Sequence, residues 1–312
     1  MIARSDEPCL VTGGAGFIGS HLVQALSAAR RPVRVLDNLS SGRRENLPPG
    51  ADFVEGDLGD AAAVARAVAG AGVVFHLAAV ASVVQSINRP LECDAVNVGG
   101  TLAILRAAAK AGARRVVFAS STAVYGDAAP PLAEDAPKRP LSPYAASKLG
   151  GELLCAAAAQ HFGVEAVSLR FFNVYGPRQD PRSTYAAVIP LFIERLLAGR
   201  PLVVHGDGTQ TRDFIYVDDV VAALRRAAEA PGASGRAYNV ATGRAIGVGD
   251  LAYVIGRAAG ATPQVEFGPP RAGDIHDSWA DVTVAEREFG FRAATPLADG
   301  LRATVDWFRR SP

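Results

Sequence analysis

The segment Tyr144-Ala145-Ala146-Ser147-Lys148 places a phenol and an ammonium four residues apart. On a helix such positions share one face, so the two groups point the same way. A neighbouring ammonium favours the phenolate and draws the phenol pKa down from ~10 toward neutral pH. A phenol tuned in this way can take a proton from a hydroxyl while hydride leaves the same carbon. Ser120-Ser121-Thr122 closes the apolar run 115–119, and Ser142-Pro143 marks a helix start just before Tyr144. Ligands of a doubly wound sheet lie beyond the carboxyl ends of its strands, so Ser121 can hydrogen-bond a reacting hydroxyl and share its proton with Tyr144. Taken alone, Tyr and Lys at this spacing also describe many solvated helix faces. The serine is what raises the reading above that.

Upstream, Thr12-Gly13-Gly14-Ala15-Gly16-Phe17-Ile18-Gly19 joins a short apolar run to a helical stretch. A pyrophosphate needs such a junction. Gly13 permits a tight turn, Gly16 lets the backbone approach the phosphates, and Gly19 lets helix pack close on strand. The helix N-terminus adds free N–H groups and a positive dipole end. Glycine triplets are common, so context decides their weight. Here Asp37 closes the second strand 18 residues after Gly19, placed to accept hydrogen bonds from an adenosine ribose and to repel a 2′-phosphate. That favours NAD over NADP, with Arg43 and Arg44 as a counterweight. Asp57 ends the third strand and either meets the adenine amino group or caps the next helix. Leu77-Ala78-Ala79 ends the fourth in small residues against which a dinucleotide can lie.

These groups require a scaffold, and the pattern supplies one. Strands at 9–12, 33–37, 53–55, 73–77, 115–119 and 166–171 alternate with helices at 17–30, 60–69, 91–111 and 142–161. The strands are apolar on both faces, as in a parallel sheet covered by helices on each side. After residue 171 Gly and Pro punctuate more often and elements shorten. The expected division is 1–171 as the sheet domain and 172–312 as mainly a smaller C-terminal lobe, with some segments returning to the sheet.

Composition narrows the function classes. The 312 residues, 49% of them hydrophobic, suffice for one large or two modest domains. Lys and Arg number 32 against 31 Asp and Glu, so no electrostatic footprint for nucleic acid or an anionic membrane exists. Cys9, Cys93 and Cys155 lie far apart, offering neither a disulfide framework nor zinc spacing. His21, His76, His161, His205 and His276 are likewise scattered, and no metal is expected. Residues 1–8 carry Arg4, Asp6 and Glu7 where a signal peptide would need an apolar core. The most apolar stretch, 73–84, is too short to cross a bilayer. A cytoplasmic protein is the expectation.

Further segments extend the pattern: His76-Leu77-Ala78-Ala79, Asn97-Val98-Gly99-Gly100-Thr101, Arg170-Phe171-Phe172-Asn173-Val174-Tyr175-Gly176-Pro177 and Arg212-Asp213-Phe214-Ile215-Tyr216-Val217-Asp218-Asp219. With 12–19, 120–126 and 144–148, they make nearly the whole chain resemble the extended short-chain dehydrogenase/reductase family, and within it the nucleotide-sugar epimerases. The resemblance implies an α/β fold, a Rossmann-type doubly wound parallel sheet holding NAD tightly, with a smaller C-terminal substrate-binding lobe that grips a UDP-sugar. It implies Tyr144 as base, Lys148 as its tuner and Ser121 as hydrogen-bond partner. Beside the residues already named, it extends the cofactor contacts to Phe17, Ile18, Asn38, Leu58, Asn97 and Phe171. It puts Asn173 and Arg212 at the sugar-nucleotide diphosphate, Arg271 with Asp274 at the diphosphate and uridine ribose, and Val188 and Ser278 elsewhere in the substrate site. A guanidinium fork matches phosphate oxygens bidentately, which suits Arg212 and Arg271, although each also reads as a surface charge.

Related dehydratases and decarboxylases place an acidic residue just after the active-site serine or threonine, and Ser121-Thr122-Ala123-Val124-Tyr125 has none. The resemblance therefore implies epimerisation at C4 through a 4-keto sugar that rotates before hydride returns. Residues 180–190 look like those of epimerases accepting UDP-N-acetylhexosamines, and Ser278 replaces a bulky tyrosine of some relatives, leaving room for an N-acetyl group. UDP-glucose/galactose and UDP-GlcNAc/GalNAc stand level. UDP-glucuronate ranks third, because Asn173 and Asp180 stand where many glucuronate enzymes carry Thr and Arg. A non-catalytic NAD-binding sensor is the alternative of another class, opposed by the intact Ser121, Tyr144 and Lys148. A homodimer built on the helices at 91–111 and 142–161 is also implied.

Overall fold

The computed structural model describes residues 7–181, 187–270 and 275–310. Six strands lie in the first half: β1 (Cys9–Thr12), β2 (Val33–Asp37), β3 (Asp52–Glu55), β4 (Val73–His76), β5 (Arg115–Ser121) and β6 (Glu165–Phe171). The second half adds β7 (Asn173–Tyr175), β8 (Leu202–His205), β9 (Thr211–Arg212), β10 (Phe214–Tyr216), β11 (Ala237–Val240), β12 (Ile246–Gly247), β13 (Val265–Gly268) and β14 (Asp277–Ser278). The main sheet runs β11-β6-β5-β4-β1-β2-β3, and every neighbouring pair is parallel. Strand order reverses on either side of β1, so a crevice opens beyond the carboxyl ends of β1 and β4.

The helices of the first half are α1 (Phe17–Ala28), α2 (Ala61–Val68), α3 (Val83–Asn88), α4 (Pro90–Asp94), α5 (Gly100–Lys110) and α6 (Pro143–His161). Alternate strand residues serve opposite faces. Val11 and Val35 join Leu22 and Leu26 of α1 in one core layer, whereas Leu10, Leu36 and Val74 join Val64 of α2, Ile104 and Leu105 of α5 and Cys155 of α6 in the other. Each buried Leu, Ile or Val contributes about 1.5–3 kcal/mol, so two-faced burial holds the sheet without help from its edges.

The helix expected over 91–111 is interrupted. A π-helical turn, Ala95–Gly99, separates α4 from α5, and Asn97 in it is buried. The Asn97 amide reaches Val80 and Ser147, and these bonds stabilise the wider turn. Such insertions concentrate near functional sites. The short α3 is an element the sequence pattern did not reveal.

In the second half, α7 (Val188–Leu197), α8 (Val217–Glu229) and α9 (Val248–Ala259) accompany three small sheets, β10-β7, β12-β9-β14 and β13-β8. Phe192, Ile193, Leu202, Val204, Leu251 and Ile255 form their core. Strand β11 rejoins the main sheet beside β6, and α8 packs on α1, β5 and β6. Among the described residues, no helix is long and apolar enough to cross a membrane.

Candidate active site

The crevice begins at the glycine loop. Gly13 has φ +68°, and a Cβ there would lie 2.8 Å from the Ala78 backbone nitrogen. The loop thus lies directly against the backbone leaving β4 at Leu77 and Ala78, which is why position 13 takes glycine. A Cβ on Gly19 would come 2.1 Å from the Gly13 carbonyl oxygen, so no other residue lets α1 start this close to β1. Gly16 is the N-cap of α1, with no side-chain cap and no acid in the first turn. By contrast, α2, α3 and α6 are capped by Asp60, Ser82 and Ser142. The N-terminus of α1 therefore keeps N–H groups and dipole available for an anion.

Asp37, 7% exposed, accepts hydrogen bonds from the backbone N–H of Ala15 (2.9 Å) and of Leu39 (2.9 Å), binding the glycine loop to the end of β2. Each oxygen keeps a further lone pair for a ribose hydroxyl. Asn38 donates to Asp57 (2.9 Å), and Asp57 accepts from Gly59. Asp57 does not cap α2; that place belongs to Asp60. An uncapped helix start, a cradle that a Cβ would fill and a carboxylate ending β2 together fit a dinucleotide.

Five further expected cofactor contacts have side chains engaged within the protein. The Asn97 oxygen accepts from Val80 N–H (2.8 Å), while its amide donates to the Val80 carbonyl (3.0 Å) and Ser147 (2.9 Å), so in this structure it shapes the loop after β4. The Leu58 side chain is buried and packs against Gly100, which leaves its backbone as the part that could face a cofactor. Phe17 and Ile18 are partly buried and pack their side chains against the core of the second half, Ile18 also against that of the main sheet. Phe171 is buried where β6 ends.

Tyr144 stands in the first turn of α6. Ser142 accepts from Ala145 N–H (3.1 Å), and the Tyr144 N–H donates to Ser86 Oγ (3.0 Å) on α3. The Ser121 hydroxyl, at the end of β5, accepts from Ala123 N–H (3.2 Å) and acts on the Tyr144 phenol by lowering its pKa. Lys148, 4% exposed, donates from Nζ to the Ala119 carbonyl (2.8 Å) and lies 5.9 Å from the Tyr144 ring centre. Serine, tyrosine and lysine thus converge, carried by a strand end and a helix start that the parallel sheet brings together.

The electrostatics correct one expectation. Burial pushes the Lys148 ammonium down to about 8, against weaker opposition from Cys93, Cys155 and Glu152. Burial likewise raises Tyr144 above its ordinary value, and the Ser121 hydrogen bond offsets only part of that. Lys148 therefore does not depress the phenol in the free protein, because desolvation acts on both members of the pair. His76, pushed down to about 3 by burial and then by Lys148, is neutral. It bridges Thr12 (2.8 Å) and Thr101 (3.0 Å), a packing role.

On the opposite wall, Arg212 of β9 and Ser278 of β14 are register partners. Arg212 donates to the carbonyls of Thr211 (2.8 Å) and His276 (3.0 Å). Asn173 donates to the Asp213 carbonyl (3.0 Å). Val188 opens α7 and is half-buried. Arg271 and Asp274 lie outside the described residues. Sequence reasoning missed Ser86, which holds Tyr144 from 58 positions away, and Asp213, whose buried carboxylate accepts from Thr242, Gly243 and Ala280. No local pattern signals either one.

Residues 9–241 match the model of the NAD dependent epimerase/dehydratase family. The chain is 44% identical to a UDP-glucose 4-epimerase of Mycolicibacterium smegmatis, over 96% of this chain and 98% of that one. Among solved structures, it superposes with a TM-score of 0.94 on a UDP-N-acetylglucosamine 4-epimerase from Methanobrevibacter ruminantium in complex with UDP-N-acetylmuramic acid, at 39% identity, covering 98% and 99% of the two chains. It matches a Thermus thermophilus UDP-glucose 4-epimerase in complex with NAD with a TM-score of 0.89, at 40% identity over 97% and 99%.

Proposed function

The chain belongs to the NAD-dependent epimerase/dehydratase family, and on that premise we propose that it inverts C4 of a UDP-hexose through a transient 4-keto sugar. The observation that carries the choice is the end of β5: Ser121, which lowers the pKa of the Tyr144 phenol, stands there, and the turn Thr122–Tyr125 that follows holds no carboxylate to drive elimination. The substrate is UDP-glucose/galactose or UDP-GlcNAc/GalNAc. UDP-glucuronate remains the third choice, with Asn173 and Asp180 against it.

The glycine loop, Asp37 and Lys148 would hold NAD, which when bound would supply a reversible acceptor for the C4 hydride. The protein's own groups manage the proton and the orientation. Tyr144 takes the proton of the C4 hydroxyl while Ser121 holds that oxygen, and Tyr144 returns it once the sugar presents its other face. Lys148, 5.9 Å from the Tyr144 ring centre, would hold the nicotinamide ribose beside the reacting carbon. Arg212 and Asn173 grip the diphosphate, as do Arg271 and Asp274, so the hexose can turn while its nucleotide stays fixed. Ser278 next to Arg212 keeps that wall small.

A homodimer built on α4–α5 and α6 fits this reading, supported by Leu91 at 86% and Leu153 at 65% exposure on those helices. The three cysteines are free, buried thiols, in keeping with a reducing cytoplasm. The test is an NMR assay of the purified protein with UDP-glucose, UDP-N-acetylglucosamine or UDP-glucuronate and substoichiometric NAD. The anomeric proton of the C4 epimer should grow in with one of the first two, and Tyr144→Phe should slow it about 10²–10⁴-fold. Tight NAD binding with no epimer from any sugar would favour the sensor.

A further inference from the structure

Behind the reacting groups runs a buried polar chain with no part in proton transfer. Glu152 lies one turn beyond Lys148 on the same face of α6. Its carboxylate accepts from Ser120 Oγ (2.5 Å) and, two-pronged, from Arg170 Nε (2.9 Å) and Nη2 (2.8 Å). Ser120, Glu152 and Arg170 are all buried. The remaining arm of Arg170 donates to Tyr125 Oη (2.7 Å) and to the Glu134 carbonyl (2.8 Å). Tyr125 in turn donates to Asn239 Oδ1 (2.7 Å) on β11. The Asn239 amide donates to the carbonyls of Leu132 (2.7 Å) and Asp281 (3.0 Å). Leu132 is joined by backbone bonds to Trp279 and Asp281, in the segment that follows Ser278.

The chain thus starts at the residue next to Ser121, crosses the helix of Tyr144 and Lys148, and ends on the segment carrying Ser278. Resting on the epimerase reading, we infer that Ser120, Glu152, Arg170, Tyr125 and Asn239 are positioning residues, holding the strand end of Ser121, the Tyr144 helix and the sugar wall in one alignment. A buried ion pair adds little net stability over a well-packed apolar pair of the same shape, so its contribution here is direction. Every member has defined partners, which makes the chain stiff. Alignment matters because a sugar that turns over must meet Ser121 and Tyr144 equally well from both faces.

Tyr125→Phe tests this, since it keeps the ring and removes the central hydroxyl. The kcat for the UDP-sugar should fall about 10- to 100-fold, with KM within about threefold. The loss should largely vanish in a Ser121→Ala background, because Tyr125 acts through the alignment of Ser121. Ser120→Ala, cutting the other end, should show the same dependence and decides the matter should Tyr125→Phe fail to fold. Without any substrate, Tyr125→Phe should speed hydrogen exchange at the Leu132 and Asp281 amides. Wild-type turnover tests the epimerase reading separately, so a silent wild type leaves hydrogen exchange to judge the chain. A kcat within twofold of wild type, losses that add fully to Ser121→Ala, or unchanged exchange at Leu132 and Asp281 would each overturn the inference.

Discussion

Replacing Lys148 with Met should make the free protein more stable near neutral pH while impairing catalysis. The depression of the ammonium from its ordinary value of 10.5 to about 8 corresponds, at about 1.4 kcal/mol per pH unit, to roughly 3 kcal/mol by which the buried charge disfavours folding. Methionine fills similar space without the charge, but it leaves the Ala119 carbonyl without the Nζ donor, at a cost of about 1–3 kcal/mol. The net gain near pH 7 is then up to about 2 kcal/mol. With an unfolding entropy of about 2.1 cal/mol/K per residue over 312 residues, that raises Tm by up to roughly 3 °C. The sign changes with pH. Between about 8 and 10.5 the unfolded wild-type chain holds a proton that the folded one has released, so wild-type stability climbs with pH. The variant lacks that climb. Its advantage should shrink above pH 8 and reverse by about pH 10, leaving the orphaned carbonyl as the remaining difference. Thermal melts of both cofactor-free proteins at matched pH would read this directly, since other groups titrate in both and cancel. A Tm gap that stays constant across this range, or widens, would refute the assignment of Lys148 as a costly buried cation.

Ser121→Ala should lower turnover about 10- to 100-fold and move the rising limb of the pH–rate profile upward, because Tyr144 loses the one interaction that lowers its pKa. An unshifted profile would separate Ser121 from the phenol. Gly19→Ala, whose Cβ would meet the Gly13 carbonyl, should abolish NAD retention through gel filtration even if the fold survives. Leu153→Glu, charging an exposed apolar position on α6, should shift a dimer to monomer by light scattering; an unaffected dimer would move the interface elsewhere.

Some of this protein can be read directly from its amino-acid order because the signals are local. Alternation of β-branched runs with Ala-rich helices announces the parallel sheet, and the strands fall within a residue or two of where periodicity puts them. The glycine loop, Asp37 and the Tyr144–Lys148 pair are equally legible, since a turn, a strand end and one helical turn each lie within a few residues. What tertiary structure decided involves residues distant in the chain. Ser86 holds Tyr144, Asn97 turns inward through a π-helical turn to grip Val80, and Asp213 gathers Thr242 and Ala280. No spacing rule anticipates those contacts. The titration of the reacting pair is the sharpest case. Spacing places Lys148 beside Tyr144 and suggests that it lowers the phenol, but the structure buries both, so desolvation raises one pKa and lowers the other. Proximity is a local property of a helix, whereas the dielectric around it is set by everything the fold packs against it.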